Sequence, residues 1–290
     1  MSKDLQVFES YRPLLFSIAY RMLGSAMEAE DMVQEAYLRY REAPDEDIQS
    51  PKAYLSTIVT RLCLDQLKSA RNQRVNYSGT WLPEPILTGK TPGAIAVQHE
   101  SISMAFLVLL ESLSPIERAI FLLREVFDYS YAEISEIVDK SEANCRQYYH
   151  RAKQYIHERR PRFEPDPDEQ EKLVSGFLQA LEAGDVDGLT QVLADEVVLY
   201  GDGGGKVPSV RYPVGGREKV VQLLLSFYRR ASADLHIEIA EVNGAAAMLC
   251  WSQDELILVT AFTMAQKRIR AIYNLLNPDK LAYLYRLHEG

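Results

Sequence analysis

The sequence predicts a multidomain chain. Two all-α domains, the second with a helix-turn-helix, come first, and an α+β domain with a curved antiparallel sheet follows. Three observations predict this. Apolar residues recur at three- and four-residue spacing through the first 160 positions. Proline-rich breaks fall at 76–93 and 161–167. The last third turns to β-branched and aromatic runs.

Elements can be assigned in order. Leu14, Leu15, Ile18, Ala19, Met22 and Leu23 mark a first helix that Gly24-Ser25 ends. Glu28 to Tyr40 is a second, with Met32, Val33, Ala36, Tyr37 and Tyr40 on its apolar side. Ser50-Pro51 opens a third, Ser as cap and Pro in the first turn, running to about Arg71. Ser114-Pro115-Ile116-Glu117 is a capping box that starts a helix in the second block. Beyond 167, Leu173 to Leu181 and Leu189 to Leu193 read as amphipathic helices. Five strands are expected at Val197–Tyr200, Leu235–Val242, Ala246–Trp251, Leu256–Phe262 and Ile269–Asn274, with Gly244 in a turn.

Composition bounds the function. The chain has 290 residues, 47% hydrophobic and 25% charged, which suits two or three globular domains. No stretch approaches the roughly 20 apolar residues of a membrane helix, and no export signal is evident, so no membrane contact and a cytoplasmic location are expected. Cys63, Cys145 and Cys250 are scattered and odd in number, which argues against disulfides or a zinc cluster. No metal or cofactor is expected. The net charge of -9 is unevenly spread. Lys52, Arg61, Lys68, Arg71 and Arg74 make one basic surface, and Arg146, Arg151, Lys153, Arg159 and Arg160 another. Two basic surfaces on an acidic chain suit local DNA contact.

Residues 130–153 carry the helix-turn-helix pattern. Ala132, Ile134, Ile137 and Val138 face inward on a short helix, Asp139-Lys140 turns, and Ser141 caps a second helix. Cys145, Tyr149 and Ala152 would dock that helix. Arg146, Gln147, His150, Arg151 and Lys153 would face a groove, where Arg can bridge guanine and Gln adenine.

On these residues the chain resembles the sigma-70 family, in its extracytoplasmic-function branch. Residues 113–156 resemble the fourth conserved region, residues 14–40 the second, and residues 50–71 the part that melts and reads the -10 element. The trio Trp81-Leu82-Pro83-Glu84-Pro85, Asp202-Gly203-Gly204-Gly205-Lys206 and Asn277-Pro278-Asp279-Lys280-Leu281 resembles the subgroup with a fused, cone-shaped SnoaL-like domain. The resemblance implies four segments: region 2 at 1–75, a linker at 76–97, region 4 at 98–161, and the SnoaL-like domain at 162–290. It implies bacterial RNA polymerase core enzyme as partner through Glu30, Asp31, Gln34 and Glu35, within the matching string Ala29 to Glu35. It implies promoter DNA as the other partner. Lys52, Tyr54, Thr57, Arg61, Lys68 and Arg71 would meet the -10 element, and the outward face above the -35 element. Arg61 departs from the family, where many members carry Asn.

The C-terminal domain is expected to regulate rather than catalyse. Its acid–base candidates, His236, Asp202, Glu238, Asp254 and Glu255, form no readable nucleophile–base set. Asp202 to Lys206 lacks the spacing of a phosphate-binding loop. The expectation is that Trp81, Leu82 and Pro83 lie near Asp202–Lys206 and Asn277–Leu281, and that an unidentified small ligand in the pocket is able to bias the arrangement. The residues alone leave two other readings open: a helix-turn-helix regulator acting without polymerase, and a SnoaL-type enzyme tethered to a DNA-binding half.

Overall fold

The computed structural model describes residues 3–44, 48, 50–74, 77–88, 102–159, 166–230 and 234–288. The chain divides into two compact units. One draws on 1–76 and 106–160, and the other on 77–95, 102–105 and 161–290.

The first unit is helical. Its helices are α1 (Lys3–Leu23), α2 (Ala26–Glu42), α3 (Pro51–Arg74), α4 (Met104–Glu111, whose first residues fall in the other unit), α5 (Pro115–Glu125), α6 (Tyr131–Val138) and α7 (Glu142–Arg159). The expected caps are present. Ser25 accepts from the Glu28 amide, and Ser114 with Glu117 forms the capping box. A second box, Ser130 with Glu133, opens α6. Asp139 then takes φ 53°, a left-handed cap that turns the chain into α7. Ala29, Val33, Ala36 and Tyr40 of α2 are buried, as are Leu55, Val59 and Cys63 of α3. Two polar threads run from the first three helices to α5 and the segment before α6. Arg118, 3% exposed, donates to the Met22 carbonyl at 2.6 Å, and Tyr129 donates to Ser56 at 2.6 Å.

The second unit packs α8 (Pro167–Ala183), α9 (Val186–Val192) and α10 (Arg217–Arg230) on a six-stranded sheet. Its strands are β1 (Leu193–Asp202), β2 (Val214–Gly215), β3 (Leu235–Val242), β4 (Ala245–Ser252), β5 (Glu255–Ala265) and β6 (Arg268–Leu275), followed by α11 (Pro278–His288). The order is β2-β1-β6-β5-β4-β3. All pairings are antiparallel except β1–β6, which is parallel. The sheet is therefore antiparallel as expected at every pairing but β1–β6, which runs parallel because those strands are joined by a long crossover through α10 and the intervening hairpins. Register shifts in β1, β4 and β5 bend the strands. Phe177, Val220, Leu224, Val197 and Ile272 are among the core residues between helices and sheet. The sequence reading missed α10 and the short β2. Pro167, read as linker, is the first residue of α8, capped by Asp166.

Candidate functional site

The second unit holds the marked strings together around one buried ion pair. Asp202 ends β1 with no exposed surface. Its Oδ2 accepts from the Lys280 ammonium at 2.7 Å and from the Leu82 amide at 2.9 Å. Its Oδ1 accepts from the Tyr77 hydroxyl at 2.6 Å and the Gly204 amide at 3.0 Å. A buried carboxylate needs this much compensation. Lys280, on α11, also donates to the Leu82 carbonyl. Its ammonium lies 4.0 Å from the Trp81 ring centre and 5.1 Å from that of Tyr77. Burial, and then the hydrogen bond to Asp202, push the Tyr77 phenol above its usual range, so it stays a donor.

The flanking residues complete the clasp. The Asp202 carbonyl accepts from the amides of Leu276 and Asn277 at 2.8 and 2.9 Å. Asn277 donates to the Tyr77 oxygen at 3.0 Å and accepts from the Asp279 amide, starting α11 behind Pro278. Its carbonyl takes the Lys280 and Leu281 amides. Gly204 has φ +62°, and a Cβ there would stand 2.4 Å from the Asn277 side chain. The Gly203 carbonyl accepts from the Lys206 amide. Gly205 approaches Ser78, with a Cβ position 3.0 Å away. Lys206 pairs with Asp279 at 2.6 Å in an exposed setting.

The segment 77–88 lies on this unit along its length. Leu82, Pro83, Glu84, Pro85 and Ile86 are buried, and Trp81 is half-buried. The Ile86 amide donates to Asn243 Oδ1 at 3.2 Å, and the Asn243 amide returns to the Ile86 carbonyl at 2.9 Å. Thr88 bonds Glu241 through its amide and hydroxyl, and Leu87 bridges Val242. Sequence reasoning missed Tyr77, Ile86, Thr88, Glu241 and Asn243. A faint signal was present: Asn243-Gly244, both with positive φ, is a two-residue hairpin turn. That turn leaves the Asn side chain free to reach the segment.

In the helical unit the outer face of α2 exposes Asp31 and Gln34 beside two apolar residues, Met27 and Leu38. Glu30 pairs with Arg12 at 2.7 Å and Glu35 with Arg39 at 2.9 Å. The two exposed apolar side chains were not anticipated.

The basic residues of α3 divide. Lys68 is exposed and pairs with Asp65 at 2.8 Å. Lys52 is exposed with its ammonium 5.3 Å from the Tyr129 ring. Tyr54 is half-buried, 6.4 Å from the Tyr40 ring, and Thr57 bonds the Ala53 carbonyl. Arg61 donates to the carbonyls of Glu136 at 2.8 Å and Ile137 at 3.0 Å, at the end of α6. The Arg71 side chain lies outside the described residues.

On α7, Cys145, Tyr149 and Ala152 are buried as expected. Arg146, Gln147, His150, Arg151 and Lys153 are exposed. Three of these cations have carboxylate partners: Arg146 with Glu142, Arg151 with Glu117, and Lys153 with Glu125. Such exposed pairs contribute about 0–1 kcal/mol each, so phosphate can displace them.

Beside the clasp, under the helices of the second unit, is a cavity of about 240 Å³. Its walls include Phe177, Met248, Cys250 and Leu258, with the polar groups of Ser209, Thr260 and Asn274. Among the described residues, no carboxylate, imidazole or amine side chain lines it. The Cys250 thiol is pushed up to about 12 by burial, which leaves it protonated. His236 is exposed on β3, while Leu235 and Ile237 on either side of it face the cavity.

Residues 7–73 match the family model of Sigma-70 region 2, and residues 103–156 that of Sigma-70, region 4. The ECF RNA polymerase sigma factor SigJ of Mycobacterium tuberculosis is 37% identical over 290 residues, covering 96% of this chain and 93% of the relative. The probable ECF RNA polymerase sigma factor SigI of the same species is 30% identical over 278 residues, covering 94% and 93%. A crystal structure of M. tuberculosis SigJ matches with a TM-score of 0.79 at 33% identity, over 96% of this chain and 98% of that one.

Proposed function

The chain belongs to the extracytoplasmic-function sigma factors of the sigma-70 family, and from that premise we propose that its activity is set by the grip of the C-terminal unit on residues 77–88. As a sigma factor it directs RNA polymerase to promoters. The segment 77–88 lies between α3 and α4 in the chain, and so between region 2 and region 4. A sigma factor must match the spacing of its two DNA-reading halves to that of the promoter elements. Holding the segment restricts that adjustment, and releasing it restores the freedom.

One observation carries this reading. Asp202, fully buried, is satisfied by Tyr77 and Leu82 of the segment together with Lys280 and Gly204 of its own unit. The segment thus supplies hydrogen bonds that the buried pair would otherwise have to take from water. Opening exposes Asp202 and Lys280 to solvent, which offsets part of the loss. The clasp is therefore a two-state element whose populations a modest free energy can shift.

The roles of the surfaces follow. Asp31 and Gln34, with Met27 and Leu38, form the face for polymerase, where charge steers encounter and apolar contact adds affinity. Lys52, Lys68 and Arg71 hold -10 phosphates, and Arg146, Gln147, His150, Arg151 and Lys153 read the -35 groove. Arg61 is held by α6 in this arrangement and joins the -10 face only when the two helical halves part. The C-terminal unit binds rather than catalyses, supported by the neutral lining of its cavity.

The test is transcription in vitro with bacterial core RNA polymerase and the full-length chain, comparing wild type with Asp202→Asn and Tyr77→Phe. Both variants should fold and raise promoter-specific transcript several-fold. Unchanged output, with hydrogen exchange showing residues 77–88 released, would rule the reading out.

A further inference from the structure

The cavity beside the clasp is open and apolar at its mouth. Phe227 and Ile257, 43% and 39% exposed, stand there among the lining residues with the exposed Pro208. Exposed apolar side chains gathered around a concave site mark a place where something apolar enters. In its wall, the Ser209 hydroxyl is a buried oxygen with no hydrogen-bond partner among the described residues. A buried polar atom left unsatisfied is costly, and a small shift of Ser209 toward an occupant of the cavity would satisfy it. Thr260 and Asn274, bonded to each other at 3.0 Å and both buried, supply a second polar spot.

Size and charge narrow the occupant. A dry cavity of roughly 150 Å³ takes benzene, while drug-sized ligands occupy roughly 300 Å³ or more. A volume of about 240 Å³ lies between. The described lining residues carry no cation or anion, so a charged ligand would lose its hydration without compensation.

We propose that this cavity is a receptor site for a small, uncharged, mainly apolar molecule of about the size of a bicyclic aromatic, bearing one hydroxyl or carbonyl that pairs with Ser209. The site is placed to act on the clasp, and that regulatory role rests on the function proposed above. Gly201 and Leu276 line the cavity, and the next residue along the chain from each, Asp202 and Asn277, holds Tyr77. Ser209 lies on the same loop as Gly203, Gly204 and Gly205. A Cβ on Gly201 would stand 2.4 Å from the Ser209 oxygen, so the loop and the end of β1 are in close contact. An occupant that shifts Ser209 therefore presses on the backbone that presents Asp202.

The experiment uses 2-naphthol as a neutral probe and naphthalene-2-sulfonate as its charged counterpart. The full-length protein carries carbon-13 methionine methyls, with the Met248 signal assigned from Met248→Leu. Saturable 2-naphthol binding that shifts the Met248 methyl is expected, at least tenfold tighter than the sulfonate. Ser209→Ala should weaken it about fivefold to tenfold. Leu235→Trp, which fills the cavity from its half-exposed edge, should abolish it in a chain with unchanged methyl signals elsewhere. No saturable binding up to the probe's solubility, or equal binding of the sulfonate, would overturn the proposal. Failure here with transcription still altered by Tyr77→Phe removes the receptor site alone. Binding that persists while Tyr77→Phe and Asp202→Asn leave transcription unchanged removes the regulatory reading and keeps the site.

Discussion

Lys280 sets its ammonium 4.0 Å from the centre of the Trp81 ring, so a cation of the last helix is covered by an aromatic from the segment between the two sigma regions. The same nitrogen reaches the Asp202 carboxylate at 2.7 Å, and Lys280 is only 6% exposed. Removing one partner from such a pair strands the other. Lys280→Met should lower unfolding stability of the C-terminal unit by about 3–5 kcal/mol. Asp202→Asn combined with Lys280→Met should recover a large part, because no uncompensated charge remains buried. Urea denaturation of the single and double variants measures the coupling. Strict additivity would mean that the pair is not coupled in solution.

Tyr77 gives the clasp an alkaline limit. Its phenol is raised above the ordinary value, first by burial and then by Asp202. An acid whose folded pKa is raised contributes stability that is complete below the unfolded value, about 10. That stability is lost as pH climbs from there through the folded value, because the unfolded chain gives up the proton first. Tyr273, pushed up to about 12 by burial, acts in the same direction. The informative quantity is therefore the difference between wild type and Tyr77→Phe. The variant should show a shallower fall in stability above pH of about 10, and a loss of about 1 kcal/mol at neutral pH. Parallel pH curves would mean that Tyr77 is not buried against Asp202.

Gly204 should tolerate no side chain. Its φ of +62° is strained for other residues, and a Cβ would sit 2.4 Å from the Asn277 amide. Gly204→Ala is expected to cost about 2–3 kcal/mol. Gly205→Ala, with φ +72° but its nearest neighbour the Ser78 side chain at 3.0 Å, should cost less. Differential scanning calorimetry of the two variants gives the ranking. The reverse order would show that backbone strain, rather than contact with Asn277, governs the loop.

Much of the fold was legible because it is written in local patterns. The capping box at Ser114 and Glu117, the turn at Asp139 and the inward set Cys145, Tyr149 and Ala152 follow from residues within one helical hairpin. The strands were visible from their β-branched and aromatic runs, but the parallel pairing of β1 with β6 was not, since pairing is a long-range choice. The three marked strings of the clasp stood out as strings. Tyr77 did not, because its role depends on Asp202, 125 residues away in sequence. The same holds for Asn243, whose bond to Ile86 crosses 157 positions. Helix α10 was missed although its apolar residues Val220, Val221, Leu224 and Leu225 keep helical spacing and are buried.

Arg61 is the residue on which sequence and structure pull apart. The family pattern put it on the -10 face, yet its guanidinium donates to the last carbonyls of α6, at 2.8 Å to Glu136 and 3.0 Å to Ile137. A cation at a helix C-terminus is favourable, and the planar fork of Arg spans two carbonyls as the point charge of Lys does not. Arg61→Lys therefore separates the two roles. It keeps a positive charge for phosphate while giving up one of the two bonds. Amide exchange of Val138, Asp139 and Lys140 should quicken by about fivefold to tenfold in the free protein, for a loss of about 1 kcal/mol. Binding of the polymerase holoenzyme to promoter duplex should change by less than about threefold, since one phosphate contact is retained. Unaltered exchange would show that Arg61 does not hold α6 in solution. A large loss of promoter binding would assign Arg61 to base or phosphate geometry that only a guanidinium can satisfy.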